Sequence, residues 1–128
     1  VFRHGAQKFE AGTHNLLGLV GLVAALRLIL EVGVDAIAAE LLRKRGWLVA
    51  ALRAKGYAVL QADAPPEHAS AIISFHRAGC DLPALHQRLL KAGIITSLRT
   101  DRSGQKYIRL SPHFYNTEPE FERLMEQL

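Results

Sequence analysis

Residues 81–110 read DLPALHQRLLKAGIITSLRTDRSGQKYIRL, and the order of signals in this stretch decides the class of fold. Asp81 stands where a helix N-cap belongs, Leu82, Leu85, Leu89 and Leu90 recur at helical spacing, and Gly93 stands where a helix stops. The run Ile94 to Leu98 predicts a strand, Asp101 to Gln105 with Ser103-Gly104 a turn, and Lys106 to Leu110 a second strand. Two strands joined by so short a turn must run antiparallel, with the helix before them free to cover one face of the pair.

Working outward, Ser111-Pro112 ends the second strand, and Asn116-Thr117 opens a last helix with Glu118, Glu120 and Glu122 in its first turns, where carboxylates favour the positive end of the helix dipole. Upstream, Tyr57 to Gln61 and Ala71 to His76 are strand candidates, separated by a segment with Pro65 and Pro66 that cannot continue a central strand. Before them Asp35 is placed to cap a helix in which Ile37, Leu41, Leu48 and Leu52 form an apolar stripe up to Gly56. Arg43, Lys44, Arg45, Arg53 and Lys55 are expected on its solvent side, their stems lying along the surface. From Asn15 to Val32 the chain is apolar on nearly every side, the pattern of a helix buried all round. Gly18 and Gly21 within it each cost about 1 kcal/mol against alanine, which predicts a close neighbour supplied from outside this chain. Residues 1–14 lack periodicity and are expected to be irregular. The sum is an α+β domain, a mainly antiparallel sheet covered by helices on one face and preceded by two long helices, with no internal repeat.

A length of 128 residues fits one domain, and 49% apolar with 22% charged residues suits an ordinary packed core rather than a disordered chain. Sixteen Lys or Arg against twelve Asp or Glu leave a formal charge of +4, too modest to mark a nucleic-acid partner. A single cysteine, Cys80, excludes an internal disulfide and a thiolate zinc site, and places the chain by default in the cytoplasm. The longest apolar run, Leu16 to Leu26, falls short of the roughly 20 residues of a membrane span. The opening Val-Phe-Arg-His-Gly has neither an initiator methionine nor the pattern of a signal peptide, as expected of a piece of a longer protein.

No phosphate-binding glycine loop, nucleophile elbow or zinc-protease helix is present. His4, His14, His68, His76, His86 and His113 lack the close paired spacing of metal ligands, so no metal is expected. Cys80, between Gly79 and Asp81, is expected to be a small, partly buried turn residue rather than a nucleophile.

Two segments carry more. Lys8-Phe9-Glu10-Ala11-Gly12-Thr13-His14-Asn15, followed by the glycine- and leucine-rich helix, resembles the Arg-Phe-Glu-x-Gly-Thr-Pro-Asn segment of class V aminotransferases. Ile108-Arg109-Leu110-Ser111-Pro112-His113-Phe114-Tyr115-Asn116-Thr117, with an acidic helix after it, resembles that family's closing motif. The two fall in the family's order and approximate separation and span essentially the whole chain.

The resemblance implies that residues 1–128 are the C-terminal small domain of a fold type I pyridoxal-phosphate enzyme acting on an amino acid. It implies a homodimeric parent, with the Schiff-base lysine and the rest of the catalytic apparatus in a large domain N-terminal to this chain. No catalytic residue is then expected here, and the chain alone is expected to be inactive and to hold no cofactor. Thr13 matches the threonine that reaches the cofactor phosphate of the neighbouring subunit, with Gly12 letting the backbone approach. The plainer role for Thr13 and Asn15 is to cap the helix. Arg109 matches the arginine that grips the substrate α-carboxylate through a planar two-point fork, and Arg99 is a second strand arginine that helps shape the same pocket. Lys8 and His14 depart from the family's arginine and proline. Between Arg99 and Arg109 there is no cysteine, which argues against a cysteine desulfurase and leaves epimerase-like, lyase and kynureninase-like branches. The rival is a winged-helix DNA-binding domain, with Leu82 to Arg109 as recognition helix and wing, although a strand at Ala71 to His76 stands where that fold needs a helix.

Overall fold

Asn15 starts the first helix. Its side chain accepts a hydrogen bond from the Gly18 amide at 2.9 Å, capping α1 (Leu16–Val32). In this computed structural model, which describes residues 3–9 and 12–128, α1 and the segment before it belong to an N-terminal unit, Val1–Val34, and the elements after α1 to a C-terminal unit, Asp35–Leu128. The N-terminal segment is less irregular than its sequence suggests, since Gly5–Phe9 forms a 3₁₀ turn. No residue of α1 is buried, and Leu17 is 84% exposed, so the apolar surface of this helix lies open within the chain, in line with a neighbour supplied from outside it. The two glycines differ in cause. A Cβ on Gly18 would lie 2.5 Å from Asn15 Nδ2 and displace the helix's own cap, whereas a Cβ on Gly21 meets nothing within 4 Å. No single helix among the described residues is long and apolar enough to cross a membrane.

In the C-terminal unit, α2 (Val34–Ala54) begins one residue before Asp35, which therefore lies in the first turn rather than at the cap. Its core stripe is Leu48, Val49 and Leu52, and Lys44 and Arg45 extend it: only 4% and 7% exposed, they are buried rather than solvent-facing. The spacing explains the correction, because Lys44 and Arg45 lie three or four residues before Leu48 on the same helical face. Their charges are met by oxygen. Lys44 Nζ donates to the Phe114 carbonyl at 2.6 Å and pairs with Glu40 at 3.2 Å. Arg45 donates to the carbonyls of Gln61 (2.6 Å), Ile72 (3.0 Å) and Ser70 (3.2 Å). Arg43 and Arg53 remain exposed, paired with Glu40 and Glu118 and with Asp63, and Lys55 is exposed as expected.

Two helices end in the same way. Gly56 (φ +79°) follows α2, its amide donating to Arg53 O while the Tyr57 amide reaches back to Leu52 O. Gly93 (φ +74°) follows α3 (Leu82–Lys91), with Gly93 to Leu90 O and Ile94 to Leu89 O. This pair of bonds satisfies the last carbonyls and needs a left-handed residue, hence glycine. Asp81 caps α3 through the Ala84 amide at 3.0 Å. Leu82, Leu85 and Leu89 are buried, but Leu90, rotated off that face, is 49% exposed.

The sheet comprises β1 (Ala58–Val59), β2 (Ile73–His76), β3 (Ser97–Thr100) and β4 (Lys106–Leu110), all antiparallel, in the order β1-β2-β4-β3. β3 starts three residues later than the apolar run suggests, because Ile94 is used to close α3. Ile73, Phe75, Ile108 and Leu110 point to one face and join Leu48, Leu52, Leu85, Leu89, Phe121 and Leu124 in the core. The last helix, α4 (Glu118–Glu126), starts with a capping box between Thr117 and Glu120. The α+β class and the two leading helices are as the sequence predicts. With β2 an interior strand of a four-stranded sheet, the winged-helix arrangement does not hold.

Candidate functional site

Strand alternation decides which side chains leave the core. With Ile108 and Leu110 inside, Tyr107 and Arg109 must point to the opposite face of β4, and register carries the same parity to the neighbouring strands. Arg109 lies opposite Ser74 on β2 and Ser97 on β3, and Tyr107 lies opposite Arg99. This far face thus holds Ser74, His76, Ser97, Arg99, Tyr107 and Arg109. His76 meets Tyr107 edge-on at 5.1 Å between ring centroids.

The electrostatics of the face are one-sided. Arg109 is half-buried, and its Nε is fully buried with no hydrogen-bond partner. Among the described residues neither Arg99 nor Arg109 forms an ion pair. The carboxylate nearest in sequence, Asp101, is already committed. Its Oδ1 accepts from Ser103 Oγ (2.7 Å), Ser103 N (2.9 Å) and Gln105 N (3.0 Å), and its Oδ2 accepts from the Tyr107 hydroxyl (3.1 Å). The Ser103 hydroxyl above all, with the other donors, holds Asp101 below the usual carboxylate range. Burial, then the hydrogen bond to Asp101, pushes the Tyr107 phenol up. The turn between β3 and β4 is therefore locked by its own carboxylate, and neither Arg99 nor Arg109 is paired with it.

Of the residues the sequence nominates, Arg99 and Arg109 come together on the far face. Gly12 and Thr13 lie in the N-terminal unit, both exposed. Glu10 and Ala11 of the same motif lie outside the described residues. The cap of α1 comes from Asn15, not from Thr13. A Cβ on Gly12 would meet nothing within 4 Å, so no described neighbour requires glycine there. Ser74, Ser97, Tyr107 and His76 escaped the sequence reading, since only the pairing register puts them beside the arginines. Cys80 is partly buried just before α3, as expected, and no group of three or more metal-ligating side chains occurs among the described residues. Two surface clefts, each of about 370 Å³, are lined by Ile94, Thr96 and Phe121 among others and by Arg77, Cys80 and Lys106 among others; neither includes a nominated residue.

Comparison with known proteins gives a consistent result. The family model for aminotransferase class V matches residues 1–124. A NifS-like protein is similar in structure, with a TM-score of 0.76 and 26% identity over 99% of this chain and 37% of that one. A cysteine desulfurase from Thermococcus onnurineus NA1 superposes with a TM-score of 0.78 at 20% identity, covering 97% of this chain and 33% of its own. One from Escherichia coli gives 0.74 at 24%, covering 98% and 32%. The chain thus spans about a third of the length of these structures. No match to a curated protein sequence accompanies them.

Proposed function

From the premise that the chain belongs to the class V aminotransferase family, we propose that it is the C-terminal small domain of a pyridoxal-phosphate enzyme that binds an amino-acid substrate. The observation that carries this reading is Arg109, a guanidinium on an interior strand, flanked by two serines, with a buried Nε that has no partner. A permanently charged planar fork held in this way suits the α-carboxylate, fixing orientation as well as charge. Arg99 adds positive potential on the same face.

Pyridoxal phosphate, when bound, supplies the electron sink that makes a bond to the substrate's α-carbon breakable. This chain fits one edge of that group. The exposed Thr13 hydroxyl and the Gly12 backbone, where a Cβ would meet nothing, suit contact with a phosphate oxygen from a neighbouring subunit. The chain's own task is then to hold the substrate carboxylate and one end of the phosphate, while the bond-breaking apparatus belongs to the large domain. The isolated chain is inactive and cofactor-free in this reading, its parent is a cytoplasmic homodimer, and neither nucleic acid nor membrane is a partner. Thr100 to Ile108 contain no cysteine, so the reading favours epimerase-like, lyase or kynureninase-like chemistry over desulfuration, whatever the fold shares with the desulfurases.

The test uses the full-length protein. Arg109→Ala is expected to leave the cofactor bound and lower kcat/KM for the amino acid by an amount corresponding to about 2–5 kcal/mol, with Lys restoring only part. The same substrate as its amide has no carboxylate to grip and should lose far less. Equal losses for both, or none, would remove Arg109 from this role.

A further inference from the structure

We infer that the far face of the sheet is built for a substrate with two acidic groups, Arg109 taking the α-carboxylate and Arg99 a second acid on the substrate's side chain. The inference rests on the carboxylate role of Arg109 and extends it to substrate class.

The distribution of arginine partners points this way. In the C-terminal unit, Arg43 and Arg53 are held by carboxylates, Arg45, Arg88 and Arg123 by backbone carbonyls, and Arg77 by the Lys55 carbonyl and the Tyr57 ring. Among the described residues Arg99, Arg102 and Arg109 have no such acceptor; Arg102 stands exposed on the turn, whereas Arg99 and Arg109 share one face of one sheet. Two neighbouring cations without counter-ions repel each other, and an anion touching both relieves that repulsion.

The register sets the spacing. Arg109 opposes Ser97 and Arg99 opposes Tyr107, so the two arginines are diagonal neighbours across β3 and β4, about 7–8 Å apart at their roots. Long guanidinium arms from such roots can reach two carboxylates a few bonds apart. Asp101, saturated by Ser103, Gln105 and Tyr107, is unable to serve as an internal substitute. Ser97, Ser74 and Tyr107 border the same strip, which makes the face polar and cationic without a competing acid.

The probes are propionate and glutarate, titrated against the ¹⁵N-labelled 128-residue chain at constant ionic strength while the arginine Nε–Hε resonances are followed. Glutarate is expected to bind at least about tenfold more tightly than propionate, moving both Arg99 and Arg109, with Arg102 on the adjacent turn as the unmoved control. Arg99→Gln should reduce glutarate to the level of propionate. Equal affinity of the two acids, or a glutarate preference that survives Arg99→Gln, overturns the two-acid inference and leaves the Arg109 reading standing. Failure of either acid to move Arg109 overturns both.

Discussion

Replacing Arg45 with methionine removes the guanidinium and keeps much of the stem. In the native structure this side chain is 7% exposed and donates to the carbonyls of Gln61, Ser70 and Ile72 at 2.6–3.2 Å. It thereby ties α2 to the segment that leads from β1 into β2, including Gln61, whose φ of +51° places a non-glycine residue in the left-handed region. Hydrogen bonds to a charged donor contribute about 1.5–3 kcal/mol each, but burying the guanidinium costs several kcal/mol, which methionine recovers in part. The partners are neutral carbonyls, each costing about 1–3 kcal/mol when left without a donor, so the net expected loss is about 3–5 kcal/mol, a large share of the 5–15 kcal/mol by which a typical domain is stable. With a urea slope of about 1.5 kcal/mol per molar, the midpoint should fall by about 2–3 M. Trp47, the single tryptophan, lies 6.2 Å from Phe121 between ring centroids and reports the transition by fluorescence. Arg53→Met is the comparison, since the Arg53–Asp63 pair is exposed and screened by water and little stability rests on it. If Arg45→Met moves the midpoint no further than Arg53→Met, the three carbonyl contacts do not hold this segment and the reasoning is wrong.

Three further outcomes are expected. Gly21→Ala should raise α1 helicity by circular dichroism, being worth up to about 1 kcal/mol in open space, whereas Gly18→Ala should show no such gain because its methyl displaces the Asn15 cap. Glu40, held at about 2 by Arg43 and then Lys44, should titrate well below a free glutamate in carboxylate NMR. Because its folded value is depressed, its contribution to stability is present above the unfolded value near 4.5 and lost as pH falls towards 2, and Arg43→Met should raise its titration point. Thr117→Ala should lower stability by about 1 kcal/mol through loss of the capping box, seen as an earlier thermal midpoint and faster amide exchange in the first turn of α4.

The parts of the fold written in local chemistry were legible in the sequence. Asp81, Gly56, Gly93 and Thr117 with Glu120 mark helix ends by side-chain and glycine rules that need no tertiary partner, and the Asp101 to Gln105 turn fixes the β3–β4 pairing. What the sequence concealed depends on three-dimensional neighbours. Lys44 and Arg45 look like solvent residues because their carbonyl acceptors come from residues 61–72 and 114. Ile94 and Ile95 look like the start of a strand, although Ile94 closes a helix and Ile95 is 87% exposed. Arg109 is nominated by its motif and Arg99 as a second strand arginine, while Ser74 and His76 enter the face only through the pairing of β2 with β4 and β1.

β4 has β2 on one side and β3 on the other, so both edges of its backbone are bonded and Ile108 and Leu110 anchor it on either side of Arg109. The root of that arginine has no soft coordinate of its own, and only its side-chain torsions are left to adjust. The sheet therefore works as a jig. On the proposed carboxylate role, a group seated against Arg109 would be located relative to the core, and a rigid-body swing of the unit would carry it along, so that its alignment would be set by how the whole unit is mounted.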